Sequence, residues 1–420
     1  MGNLRFPAIF RNKQFLRLWG NQLVLQVSFN MCNYTALLIL ADRTHSPFAQ
    51  AQFYAALTLP AFVFGIVAGP TVDMFDKKKV MIVTNFLLIF LFLLYIFADA
   101  RIIFIMLIAF FTSAVARFFI PAEAAAIPRL VSKESLEHAN TFFILTLLGS
   151  VLLGYAIAGP IIQLFGGLGT VGEIAPFIIG SVFLIIALLF LLSLKRIPPV
   201  ELEVKRGSLF KKTLILFFDT FKEVRNKRSI SVPLGLLVFV EFIVGMMSIL
   251  LLEYVRLYLN LPLTSVSYVL IGPLVLGLIF GIFAISKVDR LLGHIKSIIA
   301  ACFGVGLILF LLGFVPVLAS PIVARFFTMA AAFLMGISVV IITVHARTLL
   351  QLNARVEMHG RIFSLLDILI AIVIPVPVLI LGFLADKLSI LMILAAVGVL
   401  TILAAFLSNE KMRRSHARTP

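Results

Sequence analysis

The residues that could do chemistry in this chain are the few that hydrocarbon cannot hold without help. Glu241 stands about eleven residues into an apolar stretch, and at about 1.5 Å of rise per residue that places it near the middle of a membrane span. A carboxyl at such depth costs several kcal/mol unless it is paired, hydrated or carries a proton in turn. It is therefore the first candidate for a proton-coupling group or for contact with a cationic group on a substrate. Arg117, Glu123, Arg325 and Asp367 also fall within, or at the edge of, apolar stretches. Arg117 and Asp367 join Glu241 as cavity candidates, while snorkelling or structural pairing has equal weight for Arg117, Glu123 and Arg325.

The first apolar stretch carries four amides, Gln22, Gln26, Asn30 and Asn33. At about 100° per residue they occupy roughly an 80° sector of a helix, so they form one polar stripe that lipid would not tolerate. The stripe faces either a water-filled cavity, the favoured reading, or a neighbouring helix to which it hydrogen-bonds.

Other chemistries are not indicated. No glycine loop with a following lysine and hydroxyl is present to hold nucleotide phosphates, and the six histidines have no metal-ligand spacing. Neither an enzyme nor a bound metal or other cofactor is expected. Cys32 and Cys302 lie far apart within apolar runs, so no disulfide framework is indicated.

These residues are positioned by membrane-spanning helices. The chain is 62% hydrophobic and 13% charged, well below the quarter that soluble domains carry. Twelve stretches reach the span length of about 20 residues: 14–40, 50–72, 78–98, 102–127, 139–166, 174–194, 230–256, 264–286, 295–315, 319–345, 361–384 and 388–408. The first is retained, since no signal-peptide cleavage site follows it. Six precede and six follow a cationic segment, 195–229, with ten Lys and Arg residues. Within it Ser208 can cap a helix whose Phe210, Leu214, Phe217, Phe218 and Phe221 share one face, a pattern suited to lying on a membrane surface. The division is 1–194, a linker 195–229, 230–408, and a tail 409–420.

The net charge of +16 is explained by sidedness. With both termini inside, the inner segments hold nearly all the Lys and Arg residues, and the outer loops keep only Arg43, Arg101, Arg256 and Lys387. The positive-inside rule accounts for this surplus, so no nucleic-acid partner is required.

The connection after the second stretch reads Gly69, Asp73, Asp76, then Lys77, Lys78 and Lys79. It resembles the loop between helices two and three of the major facilitator superfamily, although Met74 stands where that family carries a basic residue and Asp76 where it often has glycine. An internal repeat agrees: Pro273, Gly277 and Gly281 echo Pro60, Gly65 and Gly69, and Asp289 and Arg290 follow. The stretches from Pro121 to Asn140 and from Leu350 to Arg361 are similar to the branch holding macrolide-efflux proteins and the enterobactin exporter. Gly149, Gly154, Gly159 and Pro160 partly match the glycine series of the superfamily's exporters, and tight packing explains them equally well.

The resemblance implies an all-α integral membrane protein of twelve helices, built as two pseudo-symmetric six-helix bundles around a cavity that opens alternately to each side. It implies secondary transport, with export of an amphiphilic small molecule such as a drug, macrolide-like compound or siderophore, driven by protons. A facilitator that imports a solute or flips a lysolipid is the alternative, and a non-transporting receptor or scaffold a remoter one. A monomer in the plasma membrane is expected. Asp73 would brace the cytoplasmic side near the start of helix eleven, with Asp76, Lys77, Lys78, Asp289 and Arg290 in the gating loops. Two outcomes are expected. Single cysteines placed in 195–229 should be labelled only from the cytoplasmic side, and Asp73→Asn should impair transport while membrane insertion stays normal.

Overall fold

The computed structural model describes residues 8–98, 101–132, 135–198, 220–354 and 359–416; within its helices some side chains, those of Asp73 and Asp367 among them, lie outside the description. All regular elements among the described residues are helical. They are α1 (Lys13–Thr44), α2 (Pro47–Asp73), α3 (Lys77–Leu94), α4 (Ile102–Leu130), α5 (Leu136–Leu164), α6 (Ala175–Leu192), α7 (Arg228–Tyr258), α8 (Gly272–Leu312), α9 (Pro321–Asn353), α10 (His359–Val373), α11 (Pro375–Ala385) and α12 (Ile390–His416). Among the described residues nine helical stretches are long and apolar enough to cross a membrane, with shorter apolar runs at Gly149–Leu164 and Ile390–Phe406. With α2, 27 residues long, they make up the twelve spans.

Two of the sequence boundaries fall differently. The connection expected between the eighth and ninth spans is itself helical, and α8 continues through it until Gly293 (φ 71°, ψ 165°) reverses the chain. Only glycine enters that region of φ freely. The eleventh span is broken in two at Ile374, ahead of Pro375, where a ring nitrogen cannot donate to the helix ladder. Of the cationic linker, 199–219 lies outside the described residues, and with it most of the expected surface helix. A short helix at 220–226 follows.

The chain divides into two compact units, one of Met1–Thr44 with Gln52–Ile215, the other of His45–Ala51 with Leu216–Pro420. In the first unit α1 is the hub. One side of α1 hydrogen-bonds to backbone carbonyls of α6 and of the residue just after it. Arg17 Nη1 donates to the Ser193 oxygen (2.6 Å), Asn21 Nδ2 to Ala187 (2.9 Å), Ser28 Oγ to Gly180 (2.8 Å) and Cys32 Sγ to Pro176 (3.5 Å). From Asn21 onward each step of seven or four along α1 is matched by an equal step back along α6, as straight antiparallel helices require. The fit is close at Gly180, where an added Cβ would lie 2.3 Å from Cys32 Sγ.

Another side of α1 meets α5. Trp19 Nε1 donates to Thr146 Oγ1 at 2.7 Å, and its ring lies among Phe10, Phe15 and Phe142. Tyr34 stacks on Tyr155 with centroids 4.5 Å apart. Gly154 is the close-approach residue here, since a Cβ would meet Asn30 Cβ and the Met31 nitrogen at 2.8 Å, whereas Gly149 has nothing within 4 Å. In the same unit α2 meets α4 through Phe64, packed on Phe110 and Phe118, and through Ser113 Oγ, which donates to the Leu57 oxygen at 2.5 Å.

The second unit is built on bare backbone contacts. Gly277 in α8 and Gly336 in α9 face each other so closely that a Cβ on Gly277 would fall 1.9 Å from the Phe333 oxygen, and one on Gly336 2.3 Å from the Leu274 oxygen. After the Gly293 turn, Gly306 of α8 and Gly398 of α12 repeat the arrangement, with Cβ clashes of 2.9 and 2.7 Å on each other's carbonyl oxygen. Val224, Ile230, Leu234 and Leu237 bury against Ala346, Leu350, Ile362 and Leu365 to close one end of this unit.

A bulkier side chain at Gly180 should therefore damage the first unit. Overpacking costs about 1–3 kcal/mol, so Gly180→Val is expected to lower the thermal unfolding midpoint of the purified protein in detergent by several degrees. Gly149→Ala, into open space, should leave the midpoint unchanged or raise it.

Candidate functional site

The amide stripe of α1 turns partly inward on the protein itself. Gln22 is buried and donates to the Phe143 oxygen of α5 at 3.3 Å. Asn30 donates to the Gln26 oxygen one turn back (2.8 Å) and reaches Ser150 Oγ at 3.4 Å. Asn33 is buried and donates to the Phe29 oxygen at 2.9 Å. Gln26 is half-buried. The amide oxygens of Gln22 and Asn33 are enclosed without a hydrogen-bond partner. Unspent acceptors of this kind are costly unless a ligand or water reaches them.

The ionisable residues divide by burial. Glu241 lies midway along α7, half-buried and engaged in an interaction. Arg117 in α4 is likewise half-buried and engaged. Glu123, two turns further along α4, is 6% exposed, and its Oε1 has no hydrogen-bond partner. Arg325, in α9, donates through Nε and Nη2 to the Leu259 oxygen (3.1 and 2.9 Å) and so caps the carboxyl end of α7, a use that cations at helix C-termini commonly serve. Asp367 belongs to α10, and its side chain lies outside the described residues.

The loop between α2 and α3 is described from its second acid onward; the side chain of Asp73 and the surroundings of Gly69 are not. Asp76 is the N-cap of α3, its Oδ1 accepting from the Lys78 and Lys79 nitrogens at 2.9 and 3.3 Å. Its Oδ2 accepts from Arg196 Nε at 2.9 Å. Lys78 Nζ donates to the Leu192 and Leu194 oxygens at 2.8 and 2.6 Å, placing a cation at the carboxyl end of α6. Lys77 is fully buried, with Nζ on the Val72 oxygen at 2.9 Å. Asp76 and Lys78 thus knit this loop to the end of α6. The corresponding pair in the second unit behaves otherwise: Asp289 lies near His294 and His345, and Arg290 is exposed and engaged elsewhere.

Sequence reasoning passed over one buried charge. Glu253, one percent exposed in α7, pairs with Arg256 one turn on and accepts from Gln50 Nε2 at 3.3 Å. The signal was available, an acid three residues before a base inside an apolar run. Beside it the His45–Ala51 segment is fastened to α11, with Ser46 Oγ donating to Asp386 Oδ2 at 2.6 Å and Phe48 meeting Phe383 edge to face. In the first unit a cavity of about 200 Å³ is lined by Tyr95, Phe177, Arg43 and Glu173, the last two ion-paired at 2.6 Å. None of the sequence-proposed residues lines it.

A family model described as Major Facilitator Superfamily matches residues 18–376. Macrolide efflux protein A of Streptococcus pyogenes is 23% identical over 386 residues, 90% of each chain. The uncharacterized MFS-type transporter YkuC of Bacillus subtilis (strain 168) is 29% identical over 141 residues, a match that spans 31% of each chain. The crystal structure of nucleoside transporter NupG superposes with a TM-score of 0.69 at 13% identity, covering 93% of this chain and 98% of that one.

The Glu253–Arg256 pair sets a stability expectation. Breaking a buried ion pair from one side costs about 3–5 kcal/mol, and the partial exposure of Arg256 puts Glu253→Gln near the lower end. Thermal unfolding in detergent should show a fall of several degrees. Glu223→Gln, which removes the exposed pair with Lys227, should cost no more than about 1 kcal/mol.

Proposed function

The chain belongs to the major facilitator superfamily and is a multi-pass membrane transporter, not an enzyme; on that premise we propose that it exports amphiphilic small molecules in exchange for protons, by alternating access. The observation that carries the proton reading is a carboxyl within the spans of each unit, Glu123 on α4 and Glu241 on α7. Carboxyls at such positions mark ion and proton pathways by default, and the chain has no phosphate-holding loop through which a nucleotide could supply the energy instead. Export of greasy cargo is supported by the likeness to Macrolide efflux protein A along 90% of both chains and by a composition with 41 phenylalanines.

In this reading Glu241 takes up and releases the coupling proton, or meets a cationic group on the substrate. Glu241 is half-buried in α7, and this role requires water to reach it in at least one state of the cycle. Asp367 and Glu123 are the acids to test next should Glu241 not carry the proton. Gln26, Asn30 and the unspent oxygens of Gln22 and Asn33 supply hydrogen bonds to cargo, and Arg117 tunes the local field. Asp73, Asp76, Lys77, Lys78, Asp289 and Arg290 serve the gating loops. The protein works as a monomer in the plasma membrane with both termini in the cytoplasm, where its cationic segments meet anionic headgroups.

Expression in cells stripped of their own pumps should raise resistance to macrolides or to other amphiphilic compounds, and a protonophore should abolish that resistance. Glu241→Gln should insert and bind cargo normally yet lose gradient-driven export, with pH-independent binding. Proton-driven export at the normal rate in Glu241→Gln would remove it from the mechanism. Resistance that ignores the protonophore would refute the proton coupling itself.

A further inference from the structure

The fold brings together three potential metal ligands that the sequence keeps far apart. Asp289 and His294 flank the Gly293 turn of α8, and His345 lies on α9. One ligand atom from each comes within 4.8 Å of the others, the only such group among the described residues. The lack of metal-ligand spacing along the chain is therefore no guide here, because the turn at Gly293 and the close α8–α9 packing create the cluster.

The hydrogen on one nitrogen of His345 can be placed from its partner. Nδ1 lies 2.8 Å from the Ile341 oxygen, and a carbonyl can only accept, so Nδ1 carries the hydrogen. When the ring is neutral, Nε2 presents a lone pair 3.5 Å from Asp289 Oδ1, another acceptor. His345 is 2% exposed, so water cannot readily separate the two. On the other side His294 Nδ1 lies 2.8 Å from the same oxygen, yet without the alignment of a hydrogen bond. With both rings neutral, as metal binding requires, three electron-donating atoms converge here. A ring hydrogen-bonded to a backbone carbonyl through one nitrogen, with the other left bare, is also how metal-binding histidines are commonly oriented.

We propose that Asp289, His294 and His345 bind a divalent transition-metal cation of the zinc type. With bonds of about 2.0–2.2 Å, tetrahedral coordination sets its ligands roughly 3.3 Å apart, between the separations of 2.8 and 3.5 Å seen here. Two imidazoles and a carboxylate suit zinc, cobalt or nickel better than calcium or magnesium. Half-exposed His294 and Asp289 leave the fourth position open to water. Lys287, Arg290, Lys296 and Arg347, each within two residues of a ligand in sequence, are exposed, and their charge weakens binding relative to a closed structural centre. The bound ion fastens the α8 turn to α9.

Cobalt(II) titration of the full-length detergent-purified protein, carrying an affinity tag free of histidine, tests the proposal. The expected result is saturable binding of a single cobalt per chain, with the visible absorption of a four- or five-coordinate ion and displacement by zinc. His294→Ala, on the half-exposed turn, and the isosteric Asp289→Asn should each weaken binding at least about tenfold. His345→Gln should do the same if it folds, and a zinc-induced rise in the unfolding midpoint should vanish in all three. His45→Asn, remote in sequence and tolerant of the positive φ at that position, should bind like the parent. Absence of saturable cobalt binding, or binding unaltered in His294→Ala and Asp289→Asn, would overturn the assignment.

Discussion

Hydrocarbon offers a polar group no hydrogen bond, so each polar side chain in a span must find its partner inside the protein or at a water-filled surface. That constraint organises the first unit around α1. Its amide, hydroxyl, guanidinium and thiol groups are set against backbone carbonyls of α6 on one side and against α5 on another. Because the acceptors are carbonyls already inside a helix ladder, the contacts add to the ladder and do not compete with it. The helix with the amide stripe is also the most buried of the candidate spans among the described residues, and its greasier neighbours α3 and α4 can turn Phe86, Phe90, Phe104 and Phe111 outward.

The second unit solves the same problem by removing side chains. Facing glycines on α8 and α9, and again on α8 and α12, bring backbones into contact, where association rests on van der Waals packing over a short distance. The contrast matters for tolerance. A hydrogen-bonded ladder can lose one rung and keep its register, but a glycine contact has no room for a single methyl group. A substitution absorbed at a hydrogen-bonded contact is severe at a glycine contact, at Gly180 of the first unit as at Gly277 of the second.

The twelve spans were legible because length and hydropathy suffice to mark them, and the acid and lysines after α2 were legible as a group. What those side chains touch was not. Gln22 and Asn30 stand out as a stripe in the sequence, but their partners at Phe143 and Gln26 are main-chain oxygens, which every residue possesses and no letter marks. Asn21 and Ser28, equally engaged, were overlooked because they lie off that stripe. Gly65 and Gly277 have the same place in the repeat, yet Gly65 has nothing within 4 Å while Gly277 sits against a carbonyl. Local spacing does not carry that difference, which depends on the neighbour each helix meets. His294 and His345 meet for the same reason, through a turn and a helix pair that no local pattern encodes.

Trp19 is the single tryptophan of the chain, and it stands where α1 meets α5, its indole nitrogen on Thr146 and its ring among three phenylalanines. Fluorescence excited selectively in tryptophan is therefore a report from one place. Loss of that hydrogen bond or entry of water would shift the emission colour and lifetime with no engineered label. The molecule carries its own optical gauge of how firmly its hub helix is seated.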